Sequence, residues 1–440
     1  MFVGPRNRRI IALTIPAVGT LVADPLMGLF DTAVVGRLGP AQLGAMGLSI
    51  AVLTSVSWIF NFLVYGTTST VARAMGARDF EAAGRRVSHA LQVAIVLGVV
   101  IGAALFVAAP VLLRALGAVE ALIEPGIVYL RIRALGVPLL LIAYVGHGAF
   151  RGVSDTRTPL GIAVLANLVN AGLTLLFVFP MGLGLAGAAW ATVVAEAIMV
   201  VAFGFVLART GLPLTGHGRP NRRQLAALVV VSRDLFLRTG GLLAGILAIT
   251  AAAARIDEIA AAAHQVVFQS FLLISFLMDG FAIAGQAMVG TALGADDADE
   301  ARAVGRTLLY WGIGGGFVVA IVLFVGSGII PRVLTNDAVV LAAVAGVWWL
   351  AALGQVVNGP VFALDGVLMG AEDFAYLRTW TIVAAATGGI AGQLVVTAGG
   401  GLLGLWIAVQ VMMIIRLVSL VLRVRGDGWL TTGAQLITDR

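Results

Sequence analysis

Apolar runs of about twenty residues or more recur along this chain of 440 residues, and a run of that length crosses a bilayer as a helix. Separated by charged, glycine or proline punctuation, they fall at about 10–34, 43–71, 87–110, 126–150, 158–180 and 184–208. After the polar stretch RTGLPLTGHGRPNRR (209–223) they resume at about 235–254, 259–291, 305–328, 338–364, 378–398 and 402–422. The expected fold is an all-α polytopic membrane protein with twelve transmembrane helices. Composition agrees: 60% of residues are hydrophobic and 11% charged, against about 25% charged in soluble domains.

What is missing narrows the chemistry. There is no cysteine, so disulfides, thiolate metal sites and cysteine nucleophiles are excluded. All 28 basic residues are arginine, so there is no Walker A lysine, Schiff base or lysine general base. An ATP-driven pump would need a separate subunit. The net charge of +6 does not point to nucleic acid, because the arginines stand at the ends of apolar runs rather than on one soluble face. They report orientation in the bilayer instead. Arg6, Arg8, Arg9, Arg73, Arg78, Arg85, Arg86, Arg151, Arg157, Arg209, Arg219, Arg222, Arg223, Arg302, Arg306, Arg423 and Arg425 share one set of ends, which places both termini in the cytoplasm. The opposite set has mainly Arg37, Arg114, Arg255 and Arg332. The first run is full-length with no small-residue cleavage pattern, so no removable signal peptide is expected. His89, His147 and His264 are scattered without metal-ligand spacing, and no cofactor or bound metal is expected.

The two halves repeat. At a shift of 218 positions DTAVVGRL (31–38) lies over ITAAAARI (249–256), VARAMGARD (71–79) over VGTALGADD (289–297), and Ala134-Leu135-Gly136 over Ala352-Leu353-Gly354. A slip of four residues then brings FRGV (150–153) over LDGV (364–367). Each copy has an even number of spans, so the repeats are parallel, related by an axis along the membrane normal. The expected organisation is an N-lobe over 1–208, a cytoplasmic linker over 209–222, a C-lobe over 223–425 and a cytoplasmic tail over 426–440, with a central cavity between two six-helix lobes.

Against this background the intramembrane polar residues stand out. Asp24 and Asp31 sit in the first apolar run, where a central aspartate costs roughly 3 kcal/mol of insertion free energy. Seven residues of helix put them about 10 Å apart on nearly one face. Pro16 and Pro25 each remove a backbone hydrogen bond and make the same helix a candidate hinge. In a dry site the charged form of a carboxylic acid is penalised, so Asp31 can hold a proton and release it when water or a cation arrives. Its repeat partner is Ile249, so the shared packing does not require it. A structural aspartate tied to backbone donors or to an arginine is the alternative. Asn170 and Thr174, one turn apart in NLVNAGLTLLF with Asn167 before them, can supply oxygen ligands or a proton relay, or can be interhelical glue. Thr192 and Glu196 form another one-turn pair. Asp279 and Gln286 lie deep in the eighth run, over Asn61 and Thr68 of the first half. Asp365 is close to a run's end and reads as a boundary charge. Met27, Phe30, Phe60 and Met278 suit either a permissive apolar cavity or ordinary packing.

DPLMGLFDTAVVGRLG (24–39), NLVNAGLTLLFVF with GLGLAGAAWATVVAE, and RDLFLRTGGLLA with LMDGFAIAGQAMVG, in that order over twelve spans, resemble the multidrug and toxic compound extrusion (MATE) family, in its DinF-like bacterial branch. The resemblance covers nearly the whole chain. It implies a secondary active antiporter of the bacterial cytoplasmic membrane, not an enzyme, with two lobes around a V-shaped cavity. Such a protein exports small, often cationic compounds in exchange for H+ or Na+, and is expected to act as a monomer. The family's coupling positions fall on Asp31, Asn170, Thr174 and Thr192, its helix-one hinge on Pro16 with Pro25 beyond, and the cavity on Asp24, Met27, Asn61, Asp279 and Gln286. Thr174 departs from the pattern, because many members carry a second acid there. A single carboxylate leans towards protons, while Asp31, Asn170 and Thr174 together still offer a sodium site. A major facilitator-type antiporter shares twelve helices in two parallel halves, and MGARDFEAAGRR (75–86) loosely imitates its loop between helices two and three. A lipid-linked saccharide flippase of the wider superfamily is the other rival, and its cavity would be rich in arginine. An intramembrane enzyme would need a nucleophile or metal set converging on one site, and a passive channel would not need a protonatable aspartate in a proline-containing helix.

Overall fold

The computed structural model describes residues 4–214 and 222–431, with the backbone alone over 222–228. Parts of the expected linker (215–221) and tail (432–440) lie outside the described residues. The described chain is helical throughout: α1 (Pro5–Val35), α2 (Pro40–Phe60), α3 (Phe62–Gly76), α4 (Phe80–Ala115), α5 (Glu120–Gly152), α6 (Arg157–Val178), α7 (Gly184–Ala208), α8 (Arg222–Ile256), α9 (Glu258–Gly294), α10 (Ala298–Val325), the short α11 (Ile330–Leu334), α12 (Ala338–Gly370), α13 (Phe374–Thr397) and α14 (Gly401–Arg425). Among the described residues there are 12 helical spans long and apolar enough to cross a membrane. The second, expected as one helix, is two. α2 and α3 meet at Asn61, where the Val64 amide donates to the Asn61 carbonyl three residues back (3.1 Å), a local tightening of the ladder. α1 runs unbroken through Pro16 and Pro25, and the Thr20 hydroxyl donates to the Pro16 carbonyl at 3.1 Å.

The chain divides into two compact units, Ile15–Ala226 and Met1–Thr14 with Ala227–Arg440. The first fourteen residues therefore group with the second half rather than with the lobe in which the sequence places them. Their contacts there are specific. Arg6 makes a forked ion pair with Glu300 (2.5 Å at the closest), the Trp311 indole donates to Asn7 (2.9 Å), and the Thr14 hydroxyl donates to the Gly280 carbonyl (3.3 Å).

The internal repeat is visible in each unit's own packing. In Ile15–Ala226, α5 packs on α2, α3, α4 and α7, and α7 packs on α6. In the other unit, α12 packs on α9, α10 and α14, and α14 packs on α13. The backbone repeats residue by residue. Among the described residues, those other than glycine with left-handed φ are Arg78 (56°), Ser154 (61°), Asp296 (57°) and Glu372 (59°), two pairs each 218 apart. Each closes a helix with the same pair of bonds: Arg78 N to Met75 O and Asp79 N to Ala74 O in the first half, Asp296 N to Leu293 O and Asp297 N to Ala292 O in the second. Asp79 then caps α4 through the Ala82 amide (2.8 Å), and Asp297 caps α10 through the Glu300 amide (2.8 Å).

This register overturns the four-residue slip. Ser154 pairs with Glu372 and Gly152, the last residue of α5, with Gly370, the last of α12; the match of FRGV to LDGV rests on a shared Gly-Val alone. Glycines hold the helices at backbone distance in both units. A Cβ on Gly148 would stand 2.7 Å from the Val64 carbonyl oxygen, and one on its counterpart Gly366 would stand 2.2 Å from that of Ala282. Gly366→Ala must push backbone aside. It is expected to cost about 1–3 kcal/mol and lower the thermal midpoint in detergent. Gly172→Ala, with nothing within 4 Å of the new Cβ, should not. Equal midpoints would show that this contact is not what holds α12 to α9.

Candidate functional site

Within the unit Ile15–Ala226, α1, α5, α6 and α7 bring together polar side chains from distant points in the sequence. Asp31 is buried, as are Asn170 and Thr174 of α6. The Thr174 hydroxyl oxygen lies 3.2 Å from Asp31 Oδ1 and 3.2 Å from Asn170 Oδ1. It has one proton for two acceptors, so the ionisation of Asp31 decides which of them receives it. Asn170 also acts on Asp31. The one-turn spacing of Asn170 and Thr174 is thus used as the sequence suggests: both face one carboxylate of α1. The same helix serves the second acid of α1, for the exposed Asp24 interacts with Asn167. One strip of α6, Asn167, Asn170 and Thr174, accounts for both aspartates.

The remaining expected residues fall into two groups. Thr192 is half-buried and its hydroxyl donates to the Ala188 carbonyl (3.1 Å), one turn back on its own helix, away from the trio. Pro16 and Met27 are buried and Pro25 half-buried. Asn61, at the α2–α3 break, donates to the Tyr65 hydroxyl (3.3 Å). In the other unit Gln286 is buried, Asp279 is half-buried, and Asp279 interacts as a charge with Arg416.

Buried ionic groups lie beside the expected residues. Arg133 of α5 pairs with Glu196 of α7, Nη2 to Oε1, at 2.9 Å, and it also interacts as a charge with Asp31. The sequence marks Glu196 as a second-rank candidate one turn from Thr192 but not its arginine partner. Arg133 lies inside an apolar run, the one signal that could have marked it. In the Met1–Thr14 and Ala227–Arg440 unit, Asp365 is no boundary charge. It is buried between Arg238 of α8 (2.8 Å) and Arg416 of α14, both of which donate to Oδ2. The apolar run ends near Leu364, but α12 continues to Gly370 and carries Asp365 into the bundle.

The repeat shows that these groups are local. Asp31, Arg133, Asn170 and Thr174 lie over Ile249, Ala351, Gly388 and Gly392. For α7 and α14 the left-handed glycines Gly182 and Gly184 answer Gly399 and Gly401, a shift of 217 that puts Glu196 over Met413. The scaffold common to the halves calls for none of the five. The Asp365 triad tests how a buried charge cluster acts here. Asp365→Asn leaves two buried guanidinium groups unbalanced and should cost about 3–5 kcal/mol, while Arg238→Met/Asp365→Leu/Arg416→Met should recover most of it. Thermal unfolding of the purified protein reports both; a wild-type midpoint for Asp365→Asn would show that the triad does not tie α8, α12 and α14 together.

Comparison with known proteins adds relatives to this geometry. The family model described as MatE matches residues 16–176 and 243–395, one stretch in each half. The chain is 32% identical to Protein DETOXIFICATION 44, chloroplastic, of Arabidopsis thaliana, over 95% of its own length and 82% of that protein's. It is 30% identical to DNA damage-inducible protein F of Escherichia coli, over 95% and 92%. Among solved structures, MATE in the bent conformation superposes with a TM-score of 0.89 at 22% identity, covering 96% of each chain, a likeness of fold.

Proposed function

The chain belongs to the MatE family, and from that premise we propose that it exports small organic compounds, cationic or amphipathic, in exchange for protons, with Asp31 as the coupling carboxylate. As a family member it is a transporter and not an enzyme. The proposed setting is a bacterial cytoplasmic membrane, with a monomer whose two termini are cytoplasmic and which engages no nucleic acid; the arginine distribution along the sequence supports the orientation.

The observation that carries the mechanism is the buried trio of Asp31, Asn170 and Thr174. Asp31 accepts a proton from outside, which removes the penalty of a charge in an apolar span. The Thr174 proton is then free to turn to Asn170, and the contact between α1 and α6 changes character. Movement of α1 about Pro16 or Pro25 would couple this to release of substrate. Proton binding shifts such a two-state equilibrium only by its differential affinity for the two states, about 1.4 kcal/mol for each tenfold. A second reading is sodium coupling, favoured by the oxygens of the same three side chains, which suit a hard cation.

Asp31→Asn keeps shape and hydrogen bonding but cannot ionise. It is expected to insert and fold as wild type while export driven by an imposed pH gradient in proteoliposomes falls to background for a panel of cationic compounds. Wild-type rates in folded Asp31→Asn protein would sink the coupling role. If a sodium gradient alone drives the wild-type protein, the second reading replaces the first.

A further inference from the structure

Arg133 is held by one hydrogen bond where it has donors for more. Its Nη2 donates to Glu196 Oε1 at 2.9 Å, but its Nη1 is buried with no hydrogen-bond partner, and so is Glu196 Oε2. A buried donor left unmade is a standing cost, and an incompletely satisfied ion pair in an apolar span is poor glue. The repeat gives no structural reason for it, since its members lie over Ala351 and Met413. The space it occupies is nevertheless kept clear. Gly136, one turn beyond Arg133 on α5, has no side chain where a Cβ would stand 2.5 Å from Glu196 Oε2 and 3.4 Å from Arg133 Nη1. The third charge nearby is Asp31, which interacts with Arg133. Tyr129, one turn before Arg133, interacts with all three.

We propose that Arg133 is a shared counter-charge, passed between Glu196 and Asp31 during transport, so that the site is neutral when it holds a single proton and needs no metal ion. This deepens the reading of Asp31 as coupling carboxylate and rests on it. Two carboxylates and one guanidinium carry a net single negative charge, which one proton cancels. With the proton on Asp31, Arg133 belongs to Glu196, the arrangement seen here. When Asp31 ionises, the free Nη1 is the donor that meets it. The proton leaves to water from the Asp31 carboxyl and returns to it; no other bond forms or breaks apart from hydrogen bonds. The other titratable groups facing the set are Asp24, which is exposed and interacts with Asn167 and Arg151, and Tyr144, which interacts with both Asp24 and Glu196. Arg133 is a positioning residue in this scheme, acting through Asp31.

The count makes a test that a merely structural ion pair would fail. Glu196→Gln keeps the shape of the pair but leaves one carboxylate for one guanidinium, so the set is neutral without a proton. Arg133→Gln/Glu196→Gln leaves Asp31 alone and restores the need for one. Full-length protein is compared by infrared spectroscopy at neutral pH, reading the protonated-carboxyl band that Asp31→Asn abolishes, and in proteoliposomes by pH-driven export of a fluorescent organic cation. In Glu196→Gln the band is lost and pH-driven export falls at least about tenfold, equivalent to about one pK unit. In the double variant both band and pH-driven export return. Should Glu196→Gln fail to fold, Gly136→Ala, which displaces Glu196 without removing charge, takes its place and should weaken the same band. A wild-type band and export in Glu196→Gln, or a folded double variant as inactive as the single, overturns the shared counter-charge. If the wild-type protein shows no pH-driven export, the antiport reading fails on its own, and the infrared comparison still decides for or against Arg133.

Discussion

In lipid the apolar face of a helix gains little by turning to another helix, so what holds a bundle together is close approach and the polar contacts that approach allows. The glycines of α5 and α12 supply it. Gly148 and Gly152 bring α5 against the α3 backbone, and Gly366 and Gly370 do the same for α12 against α9. Each of the two central helices gathers its neighbours in this way. Because the packing is built on backbone and small residues, the polar side chains of each unit are not needed to form it. They are free to serve other ends, and they differ almost completely between the halves.

That difference is a division of labour written on one scaffold. The Ile15–Ala226 unit carries two acids, an arginine, an amide and a hydroxyl clustered around Asp31. The other unit holds Asp365 between two arginines, Arg238 and Arg416. Asp365 accepts at Oδ2 from arginines on two helices, an arrangement suited to staying put. Asp31 is held by a hydroxyl with one proton and two acceptors, an arrangement suited to changing. The contrast lies in the partners rather than in burial, since both carboxylates are buried.

Much of this was legible in the chain. Run length and punctuation gave the spans, the shift of 218 gave the repeat, and the one-turn spacing of Asn170 and Thr174 pointed to a shared face that does meet Asp31. What was not legible depended on tertiary partners or on backbone shape. Asn61 interrupts a helix without any proline or glycine to announce it. Arg133 and Glu196 are 63 positions apart, and nothing local in either run signals the other. Distance from the ends of apolar runs places Arg6 or Arg302 well and misses Arg238 and Arg416, which lie inside the runs at 235–254 and 402–422. The false slip arose because side-chain identity was used to align segments in which only the backbone has been retained.

The left-handed turns show how far that retention goes. Arg78 and Asp296 carry opposite charges at one and the same turn, and Ser154 and Glu372 share neither charge nor bulk, yet all four adopt φ within a few degrees of one another. The shape is held by amide-to-carbonyl bonds on either side, so the side chain at the turn is left unspecified. Orientation in a membrane is set by where positive charge accumulates between spans. A turn whose geometry is indifferent to its residue is therefore a place where evolution can edit the topogenic signal of a duplicated half, adding or deleting an arginine, without refolding the helices that the turn joins.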